Sequence, residues 1–109
     1  MFKIKKNNIF LIRGDSFIAD LDLKNPDGEP YEFTTDDEVT FTVKENTDTR
    51  KIVIQKTITD GRIVVDPTDT EHLPYGDYVY DVQLRHISDG YTDTVIPPRL
   101  FRLTEEVTF

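Results

Sequence analysis

Cysteine is absent from this 109-residue sequence. That excludes a disulfide framework, a thiol nucleophile and a thiolate metal site. Long apolar runs are missing as well. None approaches the roughly 20 residues that a membrane-spanning helix needs. The opening MFKIKKNNIF has lysines but no long apolar stretch after them, so it does not read as a signal peptide. Basic residues are few: 13 Lys and Arg stand against 21 Asp and Glu, for a net charge of −8. Phosphate backbones and anionic bilayers both select basic surfaces, so neither nucleic acid nor membrane is an expected partner. The imbalance is sharpest over residues 25–43, where Asp27, Glu29, Glu32, Asp36, Asp37 and Glu38 occur without a single Lys or Arg. This stretch reads as a solvated acidic face, or as a surface for a cation or a basic protein.

The length suits one domain spanning residues 1–109. Hydrophobic residues make up 37%, a low share, but seven Phe and five Tyr are among the aromatics. The expected core is therefore thin and built from Phe, Tyr, Ile and Val.

Apolar side chains recur with period two. Phe17, Ala19, Leu21 and Leu23 fall on one face with Ile18, Asp20 and Asp22 on the other, and Val39, Phe41 and Val43 alternate with Thr40, Thr42 and Lys44. Ile52, Ile54 and Ile58 share one face, interrupted by Lys56. Tyr78, Tyr80, Val82 and Leu84 form a fourth set. Such alternation marks strands with one face on a core and one in water. Turn signals separate the runs: NPDGEP, TTDD, ENTDT, TDG, LPYG and SDG. The reading is an all-β, antiparallel sandwich of about seven to nine strands. One short helical turn is expected near 67–73, where Thr68 and Glu71 have capping-box spacing.

Two motif words overlap in IFLIRGDSFIADLDL. Arg13-Gly14-Asp15 spells an adhesion tripeptide, and Gly14-Asp15-Ser16 the start of an esterase motif. Closely flanking apolar residues favour a tight bend instead, with Gly14 taking the strained φ. An esterase serine needs a helix after it and a histidine partner. Here the following residues alternate as a strand, and only His72 and His86 are available. Those two histidines lack the neighbours of a metal site. Asp20 and Asp22 could pair as acid and base or hold a divalent cation, but alternating acids on a wet strand face are commoner. NPDGEP lacks the alternating carboxylates of a calcium loop. No catalytic, cofactor-binding or metal set emerges, and the chain is not expected to be an enzyme.

The stretch HLPYGDYVYDVQL is the most informative. Its Leu-x-x-Gly-x-Tyr pattern resembles the tyrosine corner of immunoglobulin-like and fibronectin-like sandwiches. Leu73 would plug the core, Gly76 turn the chain, and the Tyr78 hydroxyl bond back to the corner; alternatively Tyr78 and Tyr80 are simply inward strand aromatics.

The order of features also resembles a family of small proteins and amino-terminal domains from phages and prophages of Gram-positive bacteria. The immunoglobulin-like amino-terminal domains of baseplate upper proteins belong to it. The matching positions are Arg13 to Phe17, then Asp27, Gly28 and Pro30, then Val39, Phe41 and Val43. Leu73, Gly76, Tyr78, Tyr80 and Asp81 follow, and Phe101, Leu103, Val107 and Thr108 close the series. The chain departs from the pattern at Pro97-Pro98-Arg99, where the family often has a glycine turn before the last strand.

The resemblance implies a non-enzymatic tail or baseplate component, located in the virion or in the host cytoplasm when expressed from a prophage. Its partners would be other virion proteins and itself, as a homo-oligomer. It further implies that Gly14, Asp15 and Ser16 form a strand-to-strand turn, with Asp15 or Ser16 bonding local backbone. Candidate self-association segments are Phe2, Lys3, Ile4, Lys5 and Lys6, together with Val107 and Phe109 near the carboxyl terminus. A carbohydrate- or cell-surface-binding module with Tyr31, Tyr75 and Tyr91 as an aromatic platform is the alternative.

Overall fold

The computed structural model describes residues 2–5, 8–21, 23–25, 27–59 and 61–105; of residues 2–5 only the backbone course is described. Eight strands and one short helix follow in order. They are β1 (Phe2–Lys5), β2 (Asn8–Ile12), β3 (Phe17–Asp20), β4 (Asp37–Lys44), β5 (Ile52–Ile58), β6 (Arg62–Val65), α1 (Pro67–Thr70), β7 (Gly76–His86) and β8 (Thr92–Thr104). One sheet runs β1-β2-β8-β7-β4-β5 and the other is the pair β3-β6. The protein is an all-β sandwich. Strands β8, β7 and β4 are consecutive neighbours, and β3 and β6 form the separate two-stranded sheet.

One ladder departs from the antiparallel expectation. β2 pairs in parallel with β8, Ile9 opposite Phe101 and Leu11 opposite Leu103. The reason is topological: β2 enters and β8 leaves along the same direction, and no hairpin joins them. Asn8 supports the start of this ladder, its side-chain oxygen accepting from the Leu100 amide at 3.2 Å.

The alternating apolar residues face one another across the sandwich. Phe17, Ile63 and Val65 of the small sheet share a core with Ile9, Leu11, Val39, Phe41, Val43, Val82, Phe101 and Leu103 of the large one. The rings of Phe41 and Tyr80 lie 5.4 Å apart, and those of Phe41 and Phe101 6.4 Å. Burial pushes the Tyr80 phenol up to about 12.

Ile52 is a correction. It is 45% exposed rather than facing the core with Ile54 and Ile58. The ladder pairs Val43 with Ile54 but Lys44 with Ile52, so an irregularity at Val53 flips Ile52 to the outer face. Lys56 does hold the inward register between Ile54 and Ile58, opposite Phe41. Its ammonium reaches Asp69 of α1 at 2.8 Å and Asp66 at 3.6 Å. The hydrogen bond to Asp69 raises the Lys56 pKa despite partial burial.

Pro97 and Pro98 lie inside β8, not in a turn. Tyr80 pairs with Arg99 and Val82 with Ile96, so the two prolines together oppose Asp81. This is a bulge, the place in a ladder that tolerates residues without an N–H. The turn between β7 and β8 falls at 87–91 instead. The helical turn is Pro67–Thr70, and its cap also differs from the expected Thr68 and Glu71. The Asp66 amide donates to the Asp69 carboxylate at 2.8 Å.

Phe41→Ala should cost about 3–5 kcal/mol by cavity formation. Ile52→Ala should stay within about 0.5 kcal/mol, as surface changes do. Urea unfolding midpoints of the two variants check this contrast.

Candidate functional site

Three arrangements bring the chemically capable side chains together. The first joins the opening bend to the corner. Arg13 donates its amide to the Thr104 carbonyl at 3.0 Å, and Gly14 adopts φ +86°. The Gly14 amide donates to the Thr70 hydroxyl at 3.0 Å. Thr70 is fully buried, so this bond satisfies a hydroxyl that would otherwise be costly in the core. The Arg13 guanidinium donates to the Leu73 carbonyl at 3.2 Å and to the Tyr75 hydroxyl at 2.8 Å. It also stands 4.1 Å from the Tyr75 ring centre, a cation–π geometry.

Leu73 is buried, and the Tyr78 hydroxyl donates to the Pro74 carbonyl at 2.7 Å. That back-bond spans four residues and is the geometry of a tyrosine corner. Burial, with a smaller contribution from Glu45, raises the Tyr78 phenol. Gly76 opens β7 at φ +141°. Asp81 stands apart from this corner: it lies in the middle of β7, opposite Thr42. It points to the outer face of the large sheet, in a groove of about 250 Å³ beside Thr42, Lys44, Gln55 and Pro98.

In the opening bend the Asp15 amide donates to the Ile12 carbonyl at 3.0 Å, closing the turn. Ser16 is exposed and hydrogen-bonds neither His72 nor His86. Arg13 and Thr70 tie this bend to the corner. Nothing in the local sequence announces these anchors, because their partners lie about sixty residues away.

The second arrangement uses two acids of the 25–43 stretch, while Asp27, Glu29, Glu32 and Glu38 are exposed as a solvated face would be. Asp36 accepts from the Ser88 amide at 2.9 Å and its hydroxyl at 2.8 Å. The Asp37 side chain is only 3% exposed. It accepts from the Tyr31 hydroxyl and from the Thr34 amide, both at 2.9 Å, and His86 Nε2 stands 3.4 Å away. Burial, then the bond to Asp37, raises the Tyr31 phenol. Asp36 and Asp37 are thus ties between the 31–37 loop and the β7–β8 turn, not parts of a solvated face. Among the described residues no group of three or more His, Asp or Glu could hold a metal ion.

Third are the turn tyrosines. Tyr31 and Tyr91 line one cleft of about 580 Å³ with Leu23, Lys24, Asn25, His86 and Thr94. The Tyr91 and His86 rings lie 5.4 Å apart. Tyr75 is elsewhere, under Arg13. Of the expected self-association residues, Lys6, Val107 and Phe109 lie outside the described residues, and Phe2, Lys3, Ile4 and Lys5 form β1, the outermost strand beside β2. Among the described residues no helix is long and apolar enough to cross a membrane.

No protein-family model, no curated protein and no solved structure matches the chain.

Tyr78→Phe should cost about 1–2 kcal/mol, because the Pro74 carbonyl loses its donor; denaturant unfolding measures it. Burial raises the Asp81 carboxyl above its usual range, partly offset by Lys44. A folded pKa above the unfolded one means that the group favours the fold below about pH 4 and loses that contribution as pH rises through the folded value. Asp81→Asn should therefore melt higher than the parent at pH 7, and the difference should close near pH 3. Melting curves at both pH values check the sign.

Proposed function

We propose that this protein is a non-enzymatic assembly module that works by occupying a place among protein neighbours. The observation that carries the reading is the set of open strand edges around a tied framework. β1 and β5 end the large sheet, and β3 and β6 form a sheet of two strands only. Unpaired edges present backbone donors and acceptors to other chains. Meanwhile the side chains with chemical capability are engaged in holding loops: Arg13 in the corner, Asp36 at Ser88, and Asp37 between Tyr31 and the histidine.

The resemblance to phage tail and baseplate domains gives this assembly a setting. The partners are then other virion proteins and further copies of the chain, in the virion or in the cytoplasm of a host carrying the prophage. A ring or spike needs rigid subunits with complementary contacts. The sandwich supplies rigidity through a core that draws on both layers.

The cleft shared by Tyr31 and Tyr91 favours a second reading, a carbohydrate-binding module. Tyr91 is 57% exposed and offers a ring face, with Lys24, Asn25 and Thr94 as polar neighbours.

Light scattering across micromolar to millimolar concentration tests the first reading: the chain should grow in mass with concentration. A strict monomer throughout, together with saturable glycan-array binding that Tyr91→Ala abolishes, would replace it with the second.

A further inference from the structure

We propose that the open edge of β3 pairs with β3 of a second copy, antiparallel about a twofold axis at Ile18. This deepens the assembly reading and rests on it. Among the described residues β3 hydrogen-bonds to a strand on one side only, to β6, with Phe17 opposite Val65, Ile18 opposite Val64 and Asp20 opposite Arg62. The Leu21 amide donates to the Gly61 carbonyl at 2.7 Å just beyond these pairs. In an antiparallel ladder hydrogen-bonded pairs alternate with non-bonded ones. That bond therefore sets the phase: Phe17 and Ala19 aim their backbone groups at β6, and Ile18 and Asp20 aim theirs away from it.

This edge sets an exposed apolar pair beside an exposed ion pair, Asp20 with Arg62 of β6 at 3.3 Å. Ile18 is 53% exposed and its cross-strand neighbour Val64 36% exposed. β3 is a short edge of four residues that bears Asp20, but it has no lysine, proline or bulge to block strand addition at Ile18. β6 is a poorer candidate because it packs against β5. β5 is poorer as well, since Gln55 and Thr57 are exposed along it.

Charge and pattern select the register. Centring on Asp20 would set two carboxylates opposite each other. Centring on Ala19 would set each Asp20 against an isoleucine. Centring on Ile18 sets isoleucine on isoleucine and Asp20 against the exposed Ser16 of the second copy. The outer face then carries a continuous apolar strip, Val64 and Ile18 of one chain followed by Ile18 and Val64 of the other. Such self-complementarity is what a twofold interface requires.

The absence of cysteine makes the test clean. Ile18→Cys should form an intermolecular disulfide on mild oxidation faster than Gln83→Cys, an exposed control on the large sheet. Ile18→Lys and Val64→Lys should shift scattering mass to the monomer with unchanged circular dichroism. Ser16→Asp, in an exposed bend, should weaken association about tenfold by facing Asp20 twice, and Ser16→Lys should strengthen it. If the chain associates but all these variants behave like the parent and the control, the β3 edge is the wrong surface while the assembly reading stands. If the parent is monomeric at every concentration, both fall.

Discussion

The crossing between the two layers is the constraint on which the rest depends. The chain leaves the large sheet after β2 and must enter the small sheet within a few residues. Gly14 makes the bend geometrically accessible. The hydroxyl of Thr70 and the carbonyl of Leu73 then fix where it sits relative to α1 and the corner. With the bend placed, β2 is aligned beside β8 and β3 is brought over the inward faces of Phe41 and Phe101. The parallel ladder and the two-stranded layer are thus consequences of one anchored corner.

A second junction does comparable work at the other end. Asp36 and Asp37 join the loop before β4 to the turn after β7, and the acids do so because their acceptors are matched by amides, hydroxyls and an imidazole. These two acids become internal fasteners once two distant turns converge, while Asp27, Glu29, Glu32 and Glu38 of the same run stay exposed.

Much of the framework was legible in the chain. Period-two alternation located β4 and β7, and the Leu-x-x-Gly-x-Tyr spacing marked the corner whose hydroxyl bonds to Pro74. The failures share one cause, which is dependence on a partner strand or a distant loop. Ile52 has the right spacing for the core, but a register shift against β4 turns it outward. Pro97 and Pro98 stand where the resemblance sets a glycine turn, yet a bulge inside β8 opposite Asp81 accepts both. Arg13 and Thr70 carry no local signal at all. The edge of β3 was equally hidden, since Ile18 looks like an ordinary member of an alternating run until its ladder phase is known.

The anchored bend also bears on the adhesion word embedded in it. A receptor that reads Arg-Gly-Asp grips a guanidinium held out from a pliant loop. Here that head group is already clasped by a carbonyl, a phenol and an aromatic face. Recognition would begin by prising it loose, and with it the hinge that carries the chain from one layer to the next.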